Sequence, residues 1–599
     1  MKTDVIIVGG GHAGVEAALA ARRVGCSVIL VTLDSGAIGR MSCNPSIGGL
    51  AKGQLAREVD ALGGLMGVAA DHAAMQFRML NTSKGPAVQS PRAQVDKDAY
   101  AAFVRATVEG ASGLTVVQGQ VAAVSEGGGK VAGVELVDGS HLPAHAVVLT
   151  TGTFLRGLMH VGDRSSAGGR VGEAPAAALS ASLSGLGLDL VRLKTGTPPR
   201  VSAKSVDLPG LESHTGHPDD GRFSYGTPPP ADRQSVPTWR TATSAQTHDL
   251  VREKLHLSPY GRGALDSVGP RYCPSLEDKI VRFADKDEHR VFVEQETLHG
   301  DSLYLNGLSN CLPAEVQQQL VRSLPGFASA RMLRPGYAVE YDAVPACQLR
   351  PSLECRALSG LFLAGQINGT SGYEEAAAQG LMAGLNAART VQGLPTVSLG
   401  RHEAYVGVLI DDLTTLSPVE PYRMFTSRAE FRLVLRQDNA DRRLSDHAFA
   451  WGLIDGAVHE AHLRRETAIS KARSAMGDNA SPLRRRLRSG DSWSEVSDST
   501  PRLAKLELPA DWGLQVELDE RYEGYVRRQA RMVAKLERLA SVPLPDDLDY
   551  ALLEALRPEA REVLARARPA DLGQASRLAG VTPADLSLLA LSRSAAKTA

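Results

Sequence analysis

The sequence predicts an α/β protein, with a Rossmann-like core made of two dinucleotide-binding segments, an inserted α+β domain, and an all-α C-terminal domain. Three observations lead there. A short β-branched run at the N-terminus ends in a glycine turn, a second strand, turn and helix of the same kind lies near residue 365, and helical periodicity takes over after about residue 399.

The first element is Asp4-Val5-Ile6-Ile7-Val8, an apolar run that reads as a buried strand. It enters Gly9-Gly10-Gly11-His12-Ala13-Gly14, and Val15 to Val24 then carries small and apolar residues at helical spacing. In this context G-x-G-x-x-G has a mechanism. Gly9 permits the turn, Gly11 lets a pyrophosphate approach the backbone, and Gly14 lets helix pack on strand, with the phosphates at the helix N-terminus. The bland alternative is a tight structural turn. The next strand, Ser27 to Val31, should end at an acid that holds a ribose hydroxyl; Thr32 occupies that register, with Asp34 two residues on.

Leu361-Phe362-Leu363-Ala364-Gly365 reads as a second buried strand, followed by Gln366 to Gly372 and a small-residue helix from Tyr373 to Thr390. This resembles the second flavin motif of two-dinucleotide-domain flavoproteins, in which the helix N-terminus faces the isoalloxazine and the residue after Gly365 touches the ribityl chain. Gln366 stands where an Asp is commoner. Val147 to Gly152 is similar to the small-residue strand end beside the flavin in the same class. Three pieces in the right order favour FAD over NAD at the primary site.

A chain of 599 residues, 43% hydrophobic and 22% charged, has ordinary globular composition and room for two or more domains. It holds no run of about 18 apolar residues, and Met1-Lys2-Thr3-Asp4 leads straight into a strand, so no signal peptide, no membrane and a cytoplasmic location are expected. The six cysteines are scattered without a C-x-x-C pair, which argues against a zinc ribbon and for reduced thiols; no metal site is expected. A net charge of -1 neither proposes nor excludes nucleic acid.

Two stretches look chemical. Met41 to Gly49 is a turn-rich loop holding Cys43, soon followed by Lys52 and Arg57; nearby cations would activate a thiol, and the alternative is a tight loop with a buried Cys. Cys273 sits between Arg271 and Lys279 with prolines around it, as an activated thiol or as a rigid corner. From Gly113 to Val148 alternation suggests a small antiparallel meander. Residues 195–267, rich in Pro, His, Ser, Thr and Gly, read as an insertion. Beyond Leu399, Arg423, Arg428, Arg432, Arg436, Arg442 and Arg443 recur with Tyr422, Phe425 and Phe431, which suits phosphate contact and base stacking; a solvated charged helical face is the alternative. The run Arg464 to Arg488 would make this region locally positive. Leu572 to Leu589 has the outline of a helix-turn-helix, but its second helix offers mainly Ser, Asp and Leu, so partner docking or packing is favoured over DNA reading.

Gly9 to Gly14, Met41 to Gly49, Gly269 to Lys279, Gly365 to Gly380, Pro421 to Glu430 and Leu572 to Leu589 together resemble the signature segments of the tRNA uridine 5-carboxymethylaminomethyl modification flavoproteins, the MnmG or GidA family. The resemblance implies a homodimeric FAD enzyme that acts with the GTPase MnmE, two of each subunit, on the wobble uridine of tRNA. It would place a carboxymethylaminomethyl or aminomethyl group on C5, with carbon from methylenetetrahydrofolate, nitrogen from glycine or ammonium, and electrons from NADH. It also implies FAD contacts at Gly9 to Gly14, Gln366, Val121 and Ala176, the last through backbone because a serine is expected there. The stretch Gly269-Pro270-Arg271-Tyr272-Cys273-Pro274-Ser275-Leu276-Glu277-Asp278-Lys279-Ile280-Val281-Arg282-Phe283 would bind NAD, Cys43 and Cys273 would be the functional cysteines, and the last helices would dock MnmE. The domains expected on this basis are 1–200 (FAD-binding, first part, with the β insertion at about 113–148), 201–295 (inserted, NAD or substrate), 296–399 (FAD-binding, second part) and 400–599 (helical, for tRNA and the GTPase).

The chemistry is coherent. C5 of uracil becomes nucleophilic only after something adds at C6, and a thiolate is the natural adding group. Either Cys43 or Cys273 would attack, the other cysteine or a nearby acid/base managing protons, with Lys279 and Arg271 holding phosphate or stabilising charge. Two rivals remain: a folate-dependent tRNA uridine-5-methyltransferase, which should lack residues 399–599, and a non-catalytic flavin-binding scaffold.

Overall fold

A computed structural model describes residues 2–216, 221–228, 230–231, 233–265, 267–269, 274–416, 418, 420–545 and 548–596. Thr3–Val8 lies at the centre of a parallel sheet, between Val28–Thr32 and His141–Leu149. Leu114–Gln118 extends one side and Leu361–Leu363 the other. Strands of this kind are buried on both faces, which is why Val5, Ile6 and Ile7 form an unbroken apolar run.

Two helices cover one face, His12–Arg23 and Tyr373–Val391. They touch backbone to backbone. A Cβ on Gly380 would sit 2.1 Å from the Ala13 carbonyl oxygen and one on Gly384 2.2 Å from that of Ala17, so the four-residue glycine spacing lets residues far apart in sequence pack as one layer.

The antiparallel meander starts later than the alternation implied. Leu114–Gln118 is a parallel core strand, and the meander is Val121–Gly127 and Lys130–Leu136. His141–Leu149 changes partner along its length, antiparallel to the meander at its start and parallel to Leu361–Leu363 at its end.

The boundary expected at residue 295 falls inside one sheet. Six strands of the insert, from Arg200–Ser202 to Met332–Arg334, pair across it, with Arg290–Gln295 bonded to Ser302–Asn306. A four-stranded sheet joins insert to core through Val191–Thr197 and Tyr337–Ala343. Among the described residues after 400 the named elements are helices joined by loops, and the region divides. Tyr405–Leu416 and Ala440–Ala450 pack into the core of the nucleotide-binding sheet, because buried Glu58 accepts the Tyr405 and Val406 amides and pairs with Arg443. Two separate small cores follow, around Trp493 and around Leu564, and both are reached by the helix Ala510–Ala540.

Candidate functional site

A cavity of about 530 Å³ runs between the glycine turn, the loop Ser42–Leu50, the insert sheet and the turn at Gly365. Its first wall is the motif itself. Gly9 has φ +110°, and a Cβ there would lie 2.5 Å from the Thr150 carbonyl; a Cβ on Gly14 would lie 1.7 Å from that of Gly9. Gly11 faces open space. The helix it caps has neither a side-chain cap nor an acid in its first turn, so the amides of a positive helix end are left for an anion. Thr151 Oγ1 and Ser371 Oγ, both of cavity-lining residues, are buried without a hydrogen-bond partner in the protein. These residues fit a dinucleotide: an uncapped helix end for the pyrophosphate, and polar atoms that a bound group would satisfy.

Every expected FAD residue except Gly14 lines the cavity, namely Gly9, Gly10, Gly11, His12, Ala13, Thr32, Asp34, Val121, Ala176, Gly365 and Gln366. Gly14 acts one step back, packing against Gly9. Thr32 donates to the Asp34 carbonyl, while the Asp34 side chain caps Gly36 and pairs with Arg40 at 3.3 Å. The Ala176 amide is already bonded to the Phe154 carbonyl. His12 stacks on Tyr373 at 4.4 Å; burial, with Arg170 nearby, lowers its pKa to about 3, so it is neutral. Lys52 reaches Glu374 at 2.9 Å and Glu375 at 2.7 Å. Burial opposes its charge, but these two carboxylates outweigh burial and raise its pKa.

Among the described residues, Cys43 is the cysteine that lines the cavity. Its amide donates to Tyr373 Oη at 2.6 Å, and its carbonyl accepts from Lys97 at 2.9 Å and Arg200 at 3.4 Å. Its sulfur lies 3.1 Å from Tyr304 Oη. Glu296 joins Lys97 at 2.7 Å and Arg200 at 3.0 Å; burial works against its ionisation, yet the two cations hold its pKa down at about 2. Tyr304, Lys97, Arg200 and Glu296 carried no local signature in the sequence. Tyr304 is one aromatic in an apolar strand, and only the insert's fold turns it toward Cys43.

Pro270, Arg271, Tyr272 and Cys273 lie outside the described residues. Downstream, Leu276–Arg282 is a helix capped by Ser275. Leu276 and Ile280 are buried in the insert core, and Glu277, its pKa raised by burial, accepts the Cys311 amide at 2.9 Å. The side chains of these three expected dinucleotide contacts are therefore spent on the insert's own packing, as the four-residue apolar spacing requires. Asp278 holds Tyr260 and Arg282, Lys279 donates to the Gly307 carbonyl at 2.7 Å beside cavity residue Asn306, and Val281 and Phe283 are exposed. Gly269 packs by Lys194, and no residue of 274–283 lines the cavity.

The arginines expected to meet tRNA separate. Arg423 lines the cavity, Arg432 is exposed, and Arg428 lies over the Tyr422 ring at 4.3 Å. Arg436 is the correction: it is buried and forked onto Asp438 at 3.1 Å, an interior ion pair rather than a phosphate contact. Part of the basic run at 464–488 is paired within the chain, since Arg473, Arg484 and Arg488 converge on buried Glu520, with Asp519 and Glu523 beside them.

A parallel sheet with an uncapped glycine-turn helix, closed by a second strand, turn and helix from far downstream, defines the two-dinucleotide-domain flavoprotein fold. The particular family follows from comparison. The family described as Glucose inhibited division protein A matches residues 4–395, and the tRNA modifying enzyme MnmG/GidA C-terminal helical bundle matches 532–598. This chain belongs to the MnmG/GidA family. It is 49% identical over 597 residues to the tRNA uridine 5-carboxymethylaminomethyl modification enzyme MnmG of Thermus thermophilus, covering 98% of each chain. It is 47% identical over 609 residues to the MnmG of Syntrophotalea carbinolica, again covering 98% of each. The form I crystal structure of Aquifex aeolicus GidA superposes with a TM-score of 0.92 at 42% identity, covering 99% of this chain and 100% of that one.

Proposed function

We propose that this protein is an FAD-dependent enzyme that, with the GTPase MnmE, installs a carboxymethylaminomethyl or aminomethyl group on C5 of the wobble uridine of tRNA. Methylenetetrahydrofolate would be the carbon donor, glycine or ammonium the nitrogen source, and NADH the reductant; the working unit would be a homodimer joined by two MnmE subunits in the cytoplasm. The observation that carries this reading is Cys43 on the wall of the dinucleotide cavity, its thiol bonded to Tyr304, in a chain of this family.

FAD, when bound, supplies the redox chemistry of the site. The amides of Gly11, His12 and Ala13 would hold its pyrophosphate, and Gln366, Thr151 and Ser371 would meet its flavin end. The Cys43 thiolate forms a bond to C6 of uracil, and the C5–C6 π pair moves into an O4 enolate. C5 then attacks the methylene carbon of an iminium made from the folate-borne carbon and glycine or ammonium, tetrahydrofolate having been released. The C=N pair moves onto nitrogen, and loss of the C5 proton restores the C5–C6 double bond and expels the thiolate. Cys273 or a nearby acid/base is proposed to manage protons in the cycle, and Arg423 and Arg432 are the proposed phosphate contacts.

Nucleoside mass spectrometry of total tRNA from cells lacking the protein tests this. The intact chain should restore the C5 aminomethyl-type wobble uridine, and Cys43→Ser should not, with FAD content unchanged. If Cys43→Ser and Cys273→Ser each keep full modification, the cysteine mechanism is wrong. If the intact chain restores 5-methyluridine instead, the function is wrong.

A further inference from the structure

The loop that carries Cys43 is fixed through its backbone. Lys97 and Arg200 hold the carbonyl and Tyr373 the amide, while Tyr373 also reaches the Asn44 carbonyl at 3.4 Å. None of those bonds involves sulfur. The cations do not stand alone either, because Glu296 lies against both. Their net field at the thiol is therefore much smaller than two positive charges would produce. Tyr337, also on the cavity wall, is a further titratable group near Cys43, and burial raises its pKa, so it stays a neutral phenol.

The sulfur itself meets Tyr304 Oη at 3.1 Å, and the Arg200 guanidinium lies over the Tyr304 ring with 4.6 Å to the centroid. A cation on the face of a phenol draws density from the ring and makes its hydroxyl a stronger donor. While sulfur is protonated, the hydroxyl can accept from it; once sulfur is a thiolate, the same hydroxyl turns and donates. We infer that Tyr304 is a catalytic hydrogen-bond donor that stabilises the Cys43 thiolate, with Arg200 strengthening the phenol from behind. In the uracil cycle Tyr304 then donates to sulfur before the S–C6 bond forms and again when the thiolate leaves. The thiol proton leaves to solvent when the thiolate forms; from then on Tyr304 keeps its own proton and only donates the hydrogen bond. This assignment rests on the reading of Cys43 as the adding thiol, but the bond can be tested without tRNA.

The test is the pH dependence of iodoacetamide alkylation at Cys43 in the FAD-loaded protein, followed on the Cys43 peptide by mass spectrometry so that the other cysteines do not interfere. Tyr304→Phe keeps the ring and removes the donor. It should raise the thiol pKa by about one unit, which slows alkylation at neutral pH about tenfold. An unchanged profile in a folded, flavin-loaded Tyr304→Phe protein overturns the inference. If that variant does not fold, 3-fluorotyrosine at 304, a more acidic phenol of nearly the same shape, should lower the thiol pKa, and no shift there is equally fatal. A shifted thiol pKa together with full tRNA modification by Cys43→Ser would leave the hydrogen bond standing and remove the proposed role of Cys43.

Discussion

Replacing Gly380 with Ala asks whether contact between the two covering helices holds the phosphate cradle in place. The added Cβ would lie 2.1 Å from the Ala13 carbonyl oxygen and 2.6 Å from its Cα, where ordinary contact begins at 3.4 Å. Both neighbours are backbone, so no side chain can swing aside, and the helices must part by about 1.3 Å. Overpacking of this kind costs ~1–3 kcal/mol, and the better helix propensity of Ala offsets up to ~1 kcal/mol of it. Because Ala13 belongs to the first turn whose amides face the cavity, the strain falls on the cradle, and FAD affinity should weaken by about tenfold. Flavin titration read by fluorescence, with thermal unfolding alongside, measures both effects. Gly185→Ala is the control: that glycine ends the helix Ala177–Gly185, nothing lies within 4 Å of its Cβ position, and its substitution should be neutral or slightly stabilising. Wild-type flavin affinity and melting in Gly380→Ala would refute the argument.

Two further outcomes follow from buried charge. Asp60 and Asp71 anchor the insert's 223–225 segment by accepting the Tyr225 amide and the Phe223 and Ser224 amides; burial raises their pKa values to about 7 and about 6, against the pull of those amides and of Arg57. A raised folded-state pKa means the native protein binds more protons than the unfolded chain between about pH 4 and 7, so this contribution is complete below that window and lost as pH rises through it. Asp60→Asn should therefore narrow the fall in melting temperature between pH 5 and pH 8 relative to wild type, and parallel pH curves for the two proteins would count against it. Glu296 has the opposite sign: its depressed pKa contributes stability above about pH 4.5 that is lost as pH falls toward 2. Glu296→Gln leaves Lys97 and Arg200 buried without their shared carboxylate, and denaturant unfolding at pH 7 should show a loss of about 3–5 kcal/mol.

What the chain declared by itself was local. The β-branched run into Gly9–Gly14, the matching elements at Gly365, the change to helix after 399 and the family's signature segments are contiguous, and their physics acts over a few residues: strand burial, a turn that only glycine allows, amides at a helix start. Cys43 was legible for the same reason, as one thiol in a turn-rich loop. Tertiary structure alone decided what lies against it. Tyr304, Arg200, Lys97 and Glu296 come from three separate stretches and meet Cys43 only because the insert sheet folds over the cavity, so no spacing in the sequence records them. Burial, likewise, is a property of the folded whole. Arg432 and Arg436 are chemically alike and four residues apart, yet one faces solvent and the other is forked onto Asp438, a difference set by which helices pack over each.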